Sequence, residues 1–274
     1  MSRIEVKTEY LCYCCEIAAL IKRMSIRRTF LGVITAALAF PLLTTPSAAS
    51  AVPTSAQGAG GWGVPVLTDD FDGTRIDGRR WAVYHSPGAE TNPRTRRAVS
   101  VGGGMLRLKG GVTGGRDLSG GIASHLSQRY GRWEVRLRAE RGAGYTPLAL
   151  LWPDSQGRPD YAEVDFTEII DPGRRSSGIF VHRGDRRQAQ RQVRADFTRW
   201  HTVAVDWLPD RLTFWLDGRK VWDYTGPNVP RGHSMHLALQ NDVTCNRWSP
   251  CRGASTPETV SMYVDWVKIY RARL

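Results

Sequence analysis

No stretch of this 274-residue chain holds the ~20 consecutive apolar residues that a membrane-crossing helix requires, so no stable helical span is expected in the processed protein. Amphipathic helices are missing too, as are internal repeats, which excludes helical bundles and solenoids. Lysine is scarce. The basic residues behind the +12 formal charge are nearly all arginine, scattered rather than clustered on a helix, and no nucleic-acid motif accompanies them. Nucleic acid is therefore not an expected partner. Of five cysteines, Cys12, Cys14 and Cys15 lie near the N-terminus without further ligands at zinc-finger spacing. The other two, Cys245 and Cys251, bracket a short loop containing Trp248.

What is present begins with an export pattern. Arg27-Arg28 precede an uncharged run from Phe30 to Leu43, and Ser47-Ala48-Ala49-Ser50-Ala51 offers small residues for cleavage. The run Arg27 to Leu31 resembles a twin-arginine signal. Met24 reads as a natural start, which makes residues 1–23 an upstream extension; an uncleaved anchor is the alternative. The expected division is extension plus signal over 1–51, a glycine-rich flexible linker over 52–64, and one domain over 65–274. Loss of residues 1–51 removes six basic and three acidic residues and lowers the charge from +12 to +9. The mature product is expected outside the cell or in its wall, as a monomer, and there Cys245 and Cys251 are expected to pair.

From about Pro65 onward the pattern is all-β. Trp133-Glu134-Val135-Arg136-Leu137 alternates apolar and charged residues. His201 to Trp207 and Leu212 to Leu216 read as paired strands, and Asp217-Gly218 is a strong two-residue turn signal. Met235 to Leu239 and Tyr263 to Tyr270 are further strands. Many short strands over about 210 residues predict one β-sandwich.

The chemistry is concentrated in Glu163-Val164-Asp165-Phe166-Thr167-Glu168. In a regular strand Glu163 and Asp165 share a face while Glu168 points the other way. One β-bulge at Phe166-Thr167 would return Glu168 to the first face. The glutamate Cα atoms would then lie about 13 Å apart, four steps of ~3.3 Å. Side chains leaning together would bring the carboxyls to roughly 5–6 Å, near the ~5–5.5 Å of retaining glycoside hydrolysis. The plainer alternative is a solvated strand with an acidic face.

These landmarks, in order, resemble glycoside hydrolase family 16 of the laminarinase and lichenase type. Leu67 to Gly73, with Ile76-Asp77 and Trp81, resembles its opening strand, and Tyr130 to Arg136 its Tyr-Gly segment. Glu163 to Glu168 resembles the bulged E-x-D-x-x-E site. Trp200-His201-Thr202, Asp217-Gly218 and Val264 to Tyr270 match later landmarks. The resemblance implies a concanavalin A-like jelly roll of two curved antiparallel sheets, a polysaccharide substrate and no catalytic cofactor. It makes Glu163 the nucleophile, Glu168 the acid/base and Asp165 the residue that tunes Glu163. The reaction it implies is endo-hydrolysis of a β-1,3- or β-1,3-1,4-glucan with retention. An anionic galactan substrate, transglycosylation and non-catalytic glycan binding are the alternatives.

Two departures concern the sugar platform. Arg158 to Glu163 lacks the tryptophan of the family's W-P-x-x-G-E, and in Pro147 to Pro153 Leu150 replaces a cleft tryptophan while Trp152 follows two places later. Candidate substrate contacts are Trp152, Tyr161, His182, Gln240 with Asn241, and Trp248. For each, core or rim packing is the competing role. Arg158, Arg174, Arg175, Arg183, Arg186 and Arg187 read as solvated loop charges rather than an anion grip. Some family members carry a structural calcium through the last strand's aspartate, which Asp265 matches.

Overall fold

The computed structural model describes residues 61–154, 162–184 and 187–274. The extension, the signal and residues 52–60 of the linker lie outside the described residues. In chain order the strands are β1 (Leu67–Asp69), β2 (Trp81–Val83), β3 (Val99–Val101), β4 (Leu106–Thr113), β5 (Arg116–Leu118), β6 (Gly121–Gln128), β7 (Gly131–Ala139) and β8 (Tyr145–Pro153). They continue with β9 (Ala162–Glu168), β10 (Ser176–Arg183), β11 (Arg187–Arg194), β12 (His201–Leu208), β13 (Arg211–Leu216), β14 (Arg219–Tyr224), β15 (Met235–Val243) and β16 (Thr259–Arg271). One 3-10 turn, Arg96–Ala98, is the sole helical element among the described residues.

Two antiparallel sheets stack into a jelly-roll sandwich. One runs β14-β13-β12-β7-β16-β4-β3, with β1 added on β16 and β5 on β4. The other runs β11-β10-β9-β8-β15-β6-β2. Period-two alternation builds the space between them. On β7, Trp133, Val135 and Leu137 enter the core while Arg136 stays partly exposed on the opposite face. From the facing sheet come Ala149 and Leu151 of β8, Val164 and Phe166 of β9, Ile179 and Val181 of β10, and Leu237 and Leu239 of β15. Asn241 is completely buried, and its Nδ2 donates to Leu108 O at 3.1 Å and Val260 O at 2.8 Å. It therefore ties the two sheets and does not reach a sugar. The Asp217-Gly218 turn joins β13 to β14, with φ of 48° and 77° at the two positions, the left-handed pair that such a turn demands.

Arg174 corrects the view of the arginines as solvated charges. It is fully buried, and its guanidinium donates to the carbonyls of Glu140, Ile169, Asp171, Gly142 and Tyr145 at 2.8–3.2 Å. Burial lowers its pKa to about 10, so it keeps its charge at neutral pH. It pins the turn that follows β9. Arg158 and Arg186 lie outside the described residues, as does the side chain of Arg187.

Candidate active site

Strand β9 carries a bulge. Against β10, Glu168 pairs with Gly178 and Asp165 with Phe180: three steps on one strand oppose two on the other. Against β8, Glu168, Thr167 and Asp165 pair with Leu148, Ala149 and Leu150, so one extra residue sits at Phe166. Phe166 belongs to the core, and Thr167 is buried opposite Ala149, itself a core residue. The next residue, Glu168, is thereby turned to the face that carries Glu163 and Asp165. Ser177 supports the irregularity. Its Oγ accepts the Glu168 N–H at 3.0 Å, lies 2.7 Å from Thr167 Oγ1 and donates to Gly178 O at 3.1 Å.

Around the trio the same face is part apolar and part ionic. His182 pairs across strands with Glu163, and its Nε2 lies 3.1 Å from Asp165 Oδ2. Leu148, Leu150 and Ala238 form a small apolar cluster against which Trp152 packs. The tryptophan that has moved along the sequence thus stays on this face, with Leu150 beside Asp165. Glu163 is 9% exposed and Asp165 1%. Burial first, and then the adjacent Asp165, push the Glu163 carboxyl well above its ordinary range, while His182 pulls it down. Burial also pushes Asp165 up to about 7, against a hydrogen bond with Glu163 that lowers it. Two carboxyls this close and this dry retain a proton toward neutrality instead of both ionising.

Further along the sheet the Asp242 carboxylate adds negative charge and raises the pKa of both Glu163 and Asp165. It is held by Arg94, whose Nη2 lies 2.6 Å from Asp242 Oδ1 and 2.6 Å from Gln240 Oε1, with the guanidinium over the Tyr84 ring at 5.1 Å. Gln240 is therefore on the site's face but already engaged. Asp242 and Phe180 were within reach of sequence reasoning, since each lies two residues from a named candidate (Gln240, His182) and so shares its face. Arg94 was not, because it sits in a loop 148 residues from Asp242.

Other candidates fare differently. Tyr161 lies outside the described residues. Trp248 is half-buried in the loop closed by the Cys245–Cys251 disulfide. Its backbone N–H donates to Asn246 Oδ1 at 2.9 Å, and the Arg247 guanidinium lies over its ring at 4.7 Å. The donors do not fit a calcium at Asp265, because Arg136 Nε lies 2.9 Å from its carboxylate, where a cation would sit. Nor do the described residues hold any cluster of three or more His, Cys, Asp or Glu suited to a metal.

Residues 94–268 match the pattern of glycosyl hydrolases family 16. The chain belongs to that family. It is a glycoside hydrolase, and the match spans the whole trio and its surroundings. A beta-glucanase of Rhodothermus marinus is 27% identical over 246 residues, covering 75% of this chain and 84% of the relative. The laminarinase catalytic domain of Thermotoga maritima superposes with a TM-score of 0.68 at 18% identity, covering 77% of this chain and 98% of that one. A non-specific endo-beta-1,3(4)-glucanase gives a TM-score of 0.66 at 22% identity, over 76% and 91% of the two chains. These likenesses establish the same fold.

Proposed function

We propose that this family 16 hydrolase is an endo-acting β-glucanase that cleaves β-1,3- or mixed β-1,3-1,4-glucan with retention of configuration. The observation that carries this reading is the bulge, which gathers Glu163, Asp165 and Glu168 on one face. Glu168 protonates the glycosidic oxygen as Glu163 attacks the anomeric carbon and forms a glycosyl-enzyme. Deprotonated Glu168 then takes a proton from water, whose oxygen displaces Glu163 and releases the product. Attack requires Glu163 to give up its proton, which burial and the adjacent Asp165 carboxylate oppose and His182 favours; His182 Nε2 also holds Asp165 in place at 3.1 Å. The substrate class is supported by the beta-glucanase relative of Rhodothermus marinus. Arg94 on this face is ion-paired with Asp242 and so offers no free charge to a sulfated galactan. The twin-arginine-like pattern and the disulfide support export, and the enzyme is proposed to act outside the cell as a monomer. Digestion of laminarin, lichenan, carrageenan and agarose by wild type and Glu163→Gln tests the reading. Turnover of the two glucans, lost in the variant, is expected; turnover of carrageenan or agarose alone would overturn the substrate assignment.

A further inference from the structure

Strand β11 is the edge of the sheet that carries the carboxylates, and its sequence is Arg187-Gln188-Ala189-Gln190-Arg191-Gln192-Val193-Arg194. Its register is continuous: Gln188 pairs with His182, Gln190 with Phe180 and Gln192 with Gly178. Those three β10 residues pair in turn with Glu163, Asp165 and Glu168. Residues paired across antiparallel strands lie on the same face. Each glutamine therefore extends one carboxylate row toward the sheet edge. All three are exposed, whereas the alternate residues Ala189 and Val193 pack on the core.

Between the carboxylates of β9 and the glutamines of β11 stands Phe180. Its ring is half-buried, stacks on His182 at 5.9 Å and 21°, and lies over Gly178, where any Cβ would collide with it. Gly178 is the cross-strand partner of Glu168. The glycine thus lets an aromatic ring cover the sheet directly beside the proposed acid/base. An aromatic face matched to pyranose C–H edges, flanked by a line of amides that both donate and accept, is the chemistry that holds a neutral sugar ring. Gln188 Nε2 donates to Gln190 Oε1 at 3.0 Å, and Gln192 Nε2 lies 3.5 Å from Ser176 Oγ, so neighbours orient the amides while leaving their remaining donor and acceptor sites outward.

We infer that Phe180 with Gln188, Gln190 and Gln192 forms a binding subsite for a neutral glucan chain that crosses β10 and leaves over the β11 edge. The inference rests on the glucanase reading and adds where the polymer runs. Two strand spacings of ~4.8 Å put the glutamines about 10 Å from β9, beyond the sugar units being cleaved. The experiment measures kcat and KM for wild type, Gln190→Ala/Gln192→Ala and Phe180→Ala on a β-glucan oligosaccharide series of increasing length, with thermal melts as a folding control. For the double glutamine variant the expected result is a loss that grows with length, reaching about tenfold in kcat/KM on long chains and residing in KM. Phe180→Ala should lose at shorter lengths as well, being nearer the carboxylates. Wild-type rates in the glutamine variant at every length, or an equal loss at every length, would overturn the subsite alone. If wild type cleaves no glucan, the glucanase reading falls and takes the subsite with it.

Discussion

At the scale of single residues, Glu163 and Asp165 occupy positions that suit chemistry and oppose stability. Both carboxyls titrate well above their ordinary values because they are buried side by side. At low pH the folded and unfolded chains both hold these protons, and the pair costs nothing. As pH rises past ~4 the unfolded chain releases them while the folded chain must keep them, so stability is lost until the folded-state pKa, about 7 for Asp165, is passed. At ~1.4 kcal/mol per pKa unit the cost near neutrality amounts to a few kcal/mol. Glu163→Gln is therefore expected to raise the melting temperature at pH 7 and leave it nearly unchanged at pH 3, while reducing hydrolysis by about 10³-fold or more. Melts at the two pH values, with assays on the same samples, check both halves. Asp165→Asn removes the like charge and the hydrogen bond that raise Glu163. The acidic limb of its kcat/KM profile should move to lower pH, and a limb that stays or moves up would contradict the electrostatic account.

At the scale of elements, the site depends on how β9 is interrupted and how it ends. Ser177→Ala strips the hydroxyl that receives the Glu168 N–H, and a cost of about 1–2 kcal/mol in urea melts is expected, together with reduced kcat as Glu168 loses its fixed place. Arg174→Ala leaves up to five carbonyls without their donor, and a loss of at least ~3 kcal/mol is expected in the same measurement. Both elements show what a sequence reveals. The bulge was legible because three acids at that spacing share one face once one residue is extra. The role of Arg174 was not, since nothing local distinguishes an arginine that folds inward onto carbonyls from one left in solvent. The same limit hid Arg94, which meets its partner only after the sheets have closed. It also misplaced Asn241, whose local pattern fits a sugar contact as well as the packing it adopts. Alternation gave the strands and faces reliably, because period two is a property of the chain itself.

At the scale of the whole molecule, one sheet seals the core from behind and the other presents the carboxylates, so the sandwich is a support for a single functional face. The short loop closed by Cys245 and Cys251, six residues apart, contributes about 2 kcal/mol on the chain-entropy model, and Cys245→Ser/Cys251→Ser should lower thermal stability by that amount without altering kcat on glucan. The central claim concerns Glu163 and Glu168, set on one face by the bulge, with Glu163 making the direct attack. Proton NMR of the first sugar released from lichenan or laminarin, recorded before mutarotation, tests it most directly. The account predicts the β-anomer as the initial product; an α-anomer appearing first would show that water, not Glu163, makes the attack.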